Sequence, residues 1–395
     1  MEIALKKTER IEVIDILRGF TLLGIILVHF TEQYYAGPPL PKNTLPGIAD
    51  NIVAGFIGIF ISGKFFMIFS FLFGLSFFIQ FNKSDQRSTF FIRFAWRLIV
   101  LFLIGFIHSL HYRGDILTIY AVLGIVLLLC YKLPDKILLL LAFLLIINVP
   151  TILTRLVGLF TAESGAPLFP QDDSANQIYY DTLKRGSYLD ILRANLYEIK
   201  GKFEFQVIFG RLYITMGLFF LGLYVGRKNI FQDIALFKKL IRCSLFTMLG
   251  CVVIGLIIYA GTLIAKTEIS ERVGFLVGGG LWDIFSAALA TIYVSMIVRL
   301  FQRDKWKNRL MVFYSVGRMG LTTYLMQTLF GVLFFFSFGF NQLSEHGAAL
   351  LAAMGVSIFI FQIFFSNFWL KHFYYGPVEW LWRSLTYLKV QPFKR

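Results

Sequence analysis

Apolar runs recur along the whole of this chain, separated by short polar stretches. They fall at about 11–31, 64–81, 96–112, 116–131, 137–159, 207–226, 243–264, 281–300, 319–338 and 348–370. A helix of about 20 apolar residues crosses a bilayer, and a helix satisfies its own backbone polar groups in lipid. The pattern therefore predicts an all-α, polytopic integral membrane bundle of about ten transmembrane helices, forming one membrane domain over residues 1–395. Two stretches strain the pattern. Residues 51–81 are too long for a single span and contain Gly55, Gly58, Gly63 and Lys64. They read as an interfacial or re-entrant piece near 51–62, followed by a helix after Gly63. Segment 160–206, rich in Asp, Asn, Tyr and Pro, reads as an extracytoplasmic loop with an amphipathic helix near 176–200. A lid over an external site is the alternative. Neither an inverted repeat nor paired broken helices of the transporter kind stand out.

Composition supports the membrane reading. The chain is 57% hydrophobic and 15% charged, with a mean hydropathy of +0.71, whereas soluble domains carry about 25% charged residues. The net charge of +15 is topological rather than a sign of nucleic-acid binding, since no basic-aromatic recognition module appears. Of 38 Lys and Arg, 26 lie in 1–18, 82–97, 131–137, 227–242, 299–318 and 371–395. The positive-inside rule makes that set cytoplasmic, with both termini inside and 371–395 a cytoplasmic interfacial tail. No signal peptide is evident, because the first run has no small-residue cleavage site and carries Asp15 and Arg18. Cys130, Cys243 and Cys251 show no metal spacing and read as small core hydrophobes. No metal is expected.

Candidate chemistry sits at the ends of the runs. The first run, IEVIDILRGFTLLGIILVHFT, is apolar except for Asp15 and Arg18 near its start and His29 near its end. Ionisable groups inside a membrane are costly, so each is a functional candidate. His29 falls on the outer side with His108, His111 and Asp115 of HSLHYRGDIL. A neutral imidazole is a suitable general base. Asp115 or His111 would orient it; Asp115 also reads as the N-cap of the next helix. On the inner side fall Asp15, Arg18, Arg93, Arg97, Arg318, Glu379 and Arg383. Guanidinium forks match phosphate geometry, so this group reads as a site for a phosphorylated donor. Topological charge and lipid-headgroup contact is the alternative. Gln327, in GRMGLTTYLMQT, either bonds a neighbouring helix or lines a tunnel. Lys64 snorkels or helps an anionic substrate near His29. YYGPVEWLWRSLTY suits an interfacial helix packed back on the bundle, with Glu379 and Arg383 spaced to pair.

Five motifs carry a resemblance: VIDILRGFTLLGIILVHF, GKFFMIFSFLFGLSFF, HYRGDILTIYAVLGI, GRMGLTTYLMQT and YYGPVEWLWRSLTY. Together they resemble the YeiB-like family, bacterial multi-helix membrane proteins described as a domain of unknown function. That family is similar in turn to transmembrane acyltransferases. These include enzymes that acylate cell-surface polysaccharides and the lysosomal heparan-sulfate N-acetyltransferase. Asp15, Arg18, Gly19 and His29 match the opening motif of the polysaccharide enzymes. The resemblance implies that His29 is the catalytic base or acyl carrier. Arg93 and Arg97 match that superfamily's arginine pair only loosely. The expected function is acyl transfer from a cytoplasmic acyl-CoA, such as acetyl-CoA, to an extracytoplasmic small-molecule or glycan acceptor at the bacterial cytoplasmic membrane. A transporter or export protein without chemistry is the rival. The oligomeric state stays open, a homodimer included.

Overall fold

A computed structural model describes residues 7–36, 46–84, 87–161, 173–266 and 270–395. Helices make up nearly all of it. In order they are α1 (Lys7–Thr31), α2 (Ile48–Phe56), α3 (Lys64–Asn82), α4 (Arg87–His111), α5 (Leu117–Cys130) and α6 (Asp135–Ile146). Then come α7 (Val149–Thr161), α8 (Asp173–Arg185), α9 (Tyr188–Tyr197), α10 (Ile199–Ile208), α11 (Arg211–Arg227) and α12 (Ile234–Ala265). The chain ends with α13 (Glu271–Leu300), α14 (Asp304–Leu310), α15 (Tyr314–Arg318), α16 (Gly320–Phe335), α17 (Ala348–His372) and α18 (Pro377–Tyr387). Among the described residues the one β feature is an isolated antiparallel bridge between Phe373 and Lys394.

Six helices among the described residues are long and apolar enough to cross a membrane, or eight if each of two bent pairs is one span. Two shorter apolar helices are α5 and α16. Large apolar side chains cover the outside of the bundle: Leu129, Phe246, Ile264 and Phe364 are all well exposed. Apolar surface on this scale fits lipid, not water. The chain is a membrane protein.

Helix α1 is the axis of the bundle. Val13, Ile16, Leu17, Leu22, Ile26 and Phe30 are completely buried on it, because α15, α16, α17 and α3 surround it. At the other extreme, the apolar window of α12 contributes nothing to the interior, and α12 packs chiefly on α13. Cys243 of α12 is exposed, so it is not the core hydrophobe that its apolar setting suggested.

One expectation holds and two change. The helix expected after Gly63 is α3, which starts at Lys64; the piece before it is helical too, with α2 running through a π-helical turn (Ile57–Ile61) to a left-handed Gly63 at φ 82°. Paired broken helices do exist. α6 and α7 meet at 46°, and α10 and α11 at 70°. The breaks abut, since a Cβ on Gly210 (φ 70°) would sit 2.1 Å from Asn148 (φ 63°). The described part of 160–206 is not a plain loop. α8, α9 and α10 pack onto the His29 end of the bundle and bury Tyr179, Leu183 and Ile191. Bonds from Tyr35 to the Asn176 carbonyl, Asn195 to the Leu110 carbonyl and Ser337 N–H to the Leu183 carbonyl hold this cap down.

Candidate functional site: a cationic cleft leading toward His29

Two adjoining cavities open beside the Asp15 end of α1. One, of about 790 Å³, is lined by Asp15, Arg18, Lys83, Arg93, Arg97 and Arg383 among others. The second, of about 320 Å³, shares Arg18, Ser76, Gln80, Arg97 and Arg383 with it and adds Arg318, Trp382 and Glu379. Its walls then turn apolar: Phe69, Phe73, Leu101, Ile116, Leu117 and Tyr120, up to Tyr324 and to Ile25, one turn short of His29. Six cations therefore face two carboxylates, and both carboxylates are engaged.

Backbone approach sets the position of two of these cations. A Cβ on Gly19 would lie 2.0 Å from the Phe313 carbonyl oxygen, and one on Gly317 would lie 1.8 Å from the Asp15 carbonyl oxygen. Only glycine allows α1 and α15 to cross this closely, and the crossing puts Arg18 and Arg318 at the same cavity wall. Arg18 donates to Asp15 at 2.6 Å and to Ser76 at 2.5 Å. Arg97 and Arg93 have no carboxylate partner among the described residues. The Arg97 guanidinium lies 3.8 Å from the Trp382 ring centre and that of Arg93 5.0 Å from Tyr387. Trp382 donates its indole N–H to the Arg97 carbonyl, and Trp96 donates to the Leu385 carbonyl. These bonds clamp α18 onto α4, so the helix packs back on the bundle as expected.

Beyond the neck lies a buried polar layer. His108 Nδ1 is 2.8 Å from Asp115 Oδ1, and Nε2 is 2.9 Å from Thr328 Oγ1. Asp115 also accepts from the backbone N–H groups of Leu117 and Thr118, from the Thr118 hydroxyl and, at 3.0 Å, from the Lys202 ammonium. Burial alone would raise the Asp115 carboxyl. The bonds and charges of His108, Lys202 and Thr118 outweigh it and hold the group well below the usual carboxylate range. His29 stands apart. Its ring is surrounded edge-on by Tyr34 and Tyr112, both at 5.2 Å, and by Tyr324 at 6.3 Å. Neither nitrogen has a hydrogen-bond partner among the described residues, and Nδ1 is enclosed.

The structure thus brings Asp15, Arg18, Arg93, Arg97, Arg318 and Arg383 to one cleft, and it redirects other candidates. Asp115 caps α5 as expected, but it orients His108 and not His29. His111 is turned away to the Tyr188 hydroxyl at 2.8 Å and the Ile107 carbonyl. His108 bonds Asp115 and Thr328 instead, so the two histidines share no partner among the described residues. Glu379 does not pair with Arg383. It accepts from the N–H groups of Leu321 and Thr322 and from the Thr322 hydroxyl, and so caps the start of α16 from another helix. Gln327 lies outside the cavity, bonded to Gln362 and the Leu22 carbonyl. Lys64 is fully buried, its ammonium 3.7 Å from the Trp282 ring centre. Sequence reasoning missed Ser76, Lys202 and Thr328. A serine in a Phe-rich run, a lysine in a presumed loop and a threonine in an apolar helix carry no local signal of their partners.

Residues 225–389 match the family model described as "Protein of unknown function (DUF418)". The chain is similar to uncharacterized relatives over nearly its whole length. It is 28% identical to "Uncharacterized protein YxaH" of Bacillus subtilis (strain 168), over 97% of this chain and 96% of that one. The identity to "Uncharacterized 39.9 kDa protein in amylase 3'region" of Bacillus acidopullulyticus is also 28%, with the same coverage. It is 26% identical to "Uncharacterized protein YeiB" of Escherichia coli (strain K12), over 96% of each chain. The DUF418 match takes in Arg318, Glu379, Trp382 and Arg383. The wall of the cleft on α1, with Asp15 and Arg18, precedes it in the chain, as does His29.

Proposed function

We propose that this chain is a transmembrane acyltransferase that uses a cytoplasmic acyl-CoA and an extracytoplasmic acceptor. The observation that carries the reading is the shape and lining of the cleft. An acyl-CoA has several negative charges at one end and a thioester and acyl group at the other. A cationic mouth that narrows into an apolar neck ending one turn below His29 suits such a molecule. In this reading Arg18, Arg93, Arg97, Arg318 and Arg383 hold the phosphates and the neck receives the acyl end.

His29 is the base because its nitrogens are free, whereas both nitrogens of His108 are occupied. It takes the proton of an acceptor hydroxyl or amine. The acceptor oxygen or nitrogen then bonds to the thioester carbonyl carbon, the carbon–sulfur bond breaks, and CoA thiolate leaves on the cytoplasmic side. The alternative within this reading, with His29 itself carrying the acyl group, would show as label on His29. The topology that goes with it counts α5 and α16 as spans. This makes ten with both bent pairs, in a bacterial cytoplasmic membrane, with both termini and the cleft mouth inside.

The test is binding of labelled acetyl-CoA to the detergent-purified chain, followed by transfer of label. Saturable binding weakened about 10-fold or more by Arg97→Gln, with transfer lost in His29→Ala, is the expected result. Unchanged transfer in His29→Ala with every acceptor tried overturns the mechanism. A second reading, solute transport without chemistry, is favoured by the abutting breaks at Asn148 and Gly210, since discontinuous helices often form transport sites. Solute uptake by proteoliposomes without covalent change would establish it.

A further inference from the structure

A third cavity, of about 370 Å³, lies away from the cationic cleft, where α7, α11 and α13 meet; Phe66 alone lines both it and the neck. Its size is within the range of about 300–1,000 Å³ typical of small-molecule sites. Arg155, Arg211, Trp282, Asp283 and Ser286 line it.

Arg155 is the unusual member. It sits inside an apolar run and is only 4% exposed. Its guanidinium donates to the Phe275 carbonyl at 3.2 Å and lies 4.0 Å from that ring's centre. Its buried Nε has no partner, and no carboxylate lies within 4 Å among the described residues. The helix opposite makes room for it. Gly278, Gly279 and Gly280 lie within the first three turns of α13, where glycine is less favourable than alanine. A Cβ on Gly279 would come within 2.5 Å of the Arg155 Nη1. Arg211 adds a second guanidinium at the start of α11, and Lys64 a third cation beneath Trp282. Asp283 is the single acid in the lining, and it accepts from Asn148 at 2.8 Å. The Ser286 hydroxyl is buried in the lining without a partner among the described residues, and so, behind Asp283, is the side-chain amide oxygen of Asn148.

We propose that this cavity binds the anionic group, carboxylate or phosphate, of a polyhydroxylated small molecule of about monosaccharide size. Arg155 and Arg211 hold the anion, while Ser286 and Asp283 are placed to bond hydroxyls. Resting on the acyltransferase reading, that molecule is the acyl acceptor.

The test is thermal unfolding of the detergent-purified full chain, without acyl donor, in glucuronate, glucose 6-phosphate and uncharged glucose. Parallel samples in nanodiscs with and without phosphatidylglycerol ask whether the anion is a lipid headgroup. The anionic sugars should raise the midpoint saturably and glucose should not. Arg155→Gln should weaken the response at least 10-fold, and Arg97→Gln, on the other cavity, should leave it intact. Because loss of a buried arginine can unfold the chain, Gly279→Ala is the second variant. It crowds the guanidinium without removing the charge and should weaken binding severalfold. No saturable response to either sugar, or an equal response in wild type, Arg155→Gln and Gly279→Ala, overturns the proposal. A response confined to phosphatidylglycerol assigns the anion to lipid and overturns the acceptor. Acyl transfer lost with anion binding intact condemns the reaction and spares the site; anion binding absent with transfer retained does the reverse.

Discussion

Asp115 shows how much a single side chain can hold together. Its carboxylate ends α4's polar face through His108, starts α5 by capping it, and ties down α10 through Lys202. Asp115→Asn would leave the Lys202 ammonium buried without its counter-charge, which costs about 3–5 kcal/mol. Chemical denaturation in detergent should show a loss of that order. The pH dependence has a definite sign. The folded carboxyl is held below its unfolded value of about 3.9. Its contribution to stability is therefore complete above that pH and is lost as pH falls through the acid range. The wild type should weaken in that window, and Asp115→Asn should weaken less steeply. His29 makes the opposite case, since no side-chain hydrogen bond among the described residues depends on it. His29→Gln, which fills most of the space between the three tyrosines, should leave the unfolding midpoint near the wild-type value while removing the proposed activity.

At the scale of elements, the cleft depends on how closely helices approach. Gly19 and Gly317 let α1 and α15 touch backbone to backbone, and a methyl group at either position must push them apart. Gly19→Ala should destabilise by roughly 1–3 kcal/mol. It should also reduce acetyl-CoA binding by moving Arg18 relative to Arg318, although it alters no charge; thermal unfolding and binding on the same preparation check both. The cap of α16 is a second such dependence. Glu379→Ala exposes the Leu321 and Thr322 N–H groups and should cost about 0.5–2 kcal/mol, whereas Arg383→Gln should leave stability unchanged and weaken donor binding. That contrast separates two residues which spacing alone presents as an ion pair.

For the whole molecule, the proposed topology puts the α8–α10 cap and the chain's C-terminal tail on opposite sides of the membrane. Tyr197 is 83% exposed on the cap and Val390 75% exposed on the tail. In a chain with its three cysteines replaced, cysteine at 197 should react with a membrane-impermeant maleimide on intact cells. Cysteine at 390 should react only after permeabilisation. The reverse pattern would turn the cleft mouth outward and sink the acyl-CoA reading.

The sequence by itself determined that this is a helical membrane protein, because apolar runs of spanning length are a one-dimensional property of the chain. It also marked Asp15, Arg18, Arg93, Arg97, Arg318 and Arg383 as a group, because the starts of the first, third and ninth apolar runs and the tail after the tenth fall on one face when each run crosses the membrane. Only the tertiary structure decided which polar side chains meet. His108 and not His29 pairs with Asp115, Glu379 caps a helix instead of pairing with Arg383, and Lys202 enters the buried layer from a presumed loop. These choices depend on helix rotation and on the depth at which helices cross. A glycine contact or a bend at Asn148 sets both, and hydropathy along the chain does not encode either. Arg155 was visible as a charge inside an apolar run, yet its setting became clear only when α13 laid Gly279 beside it.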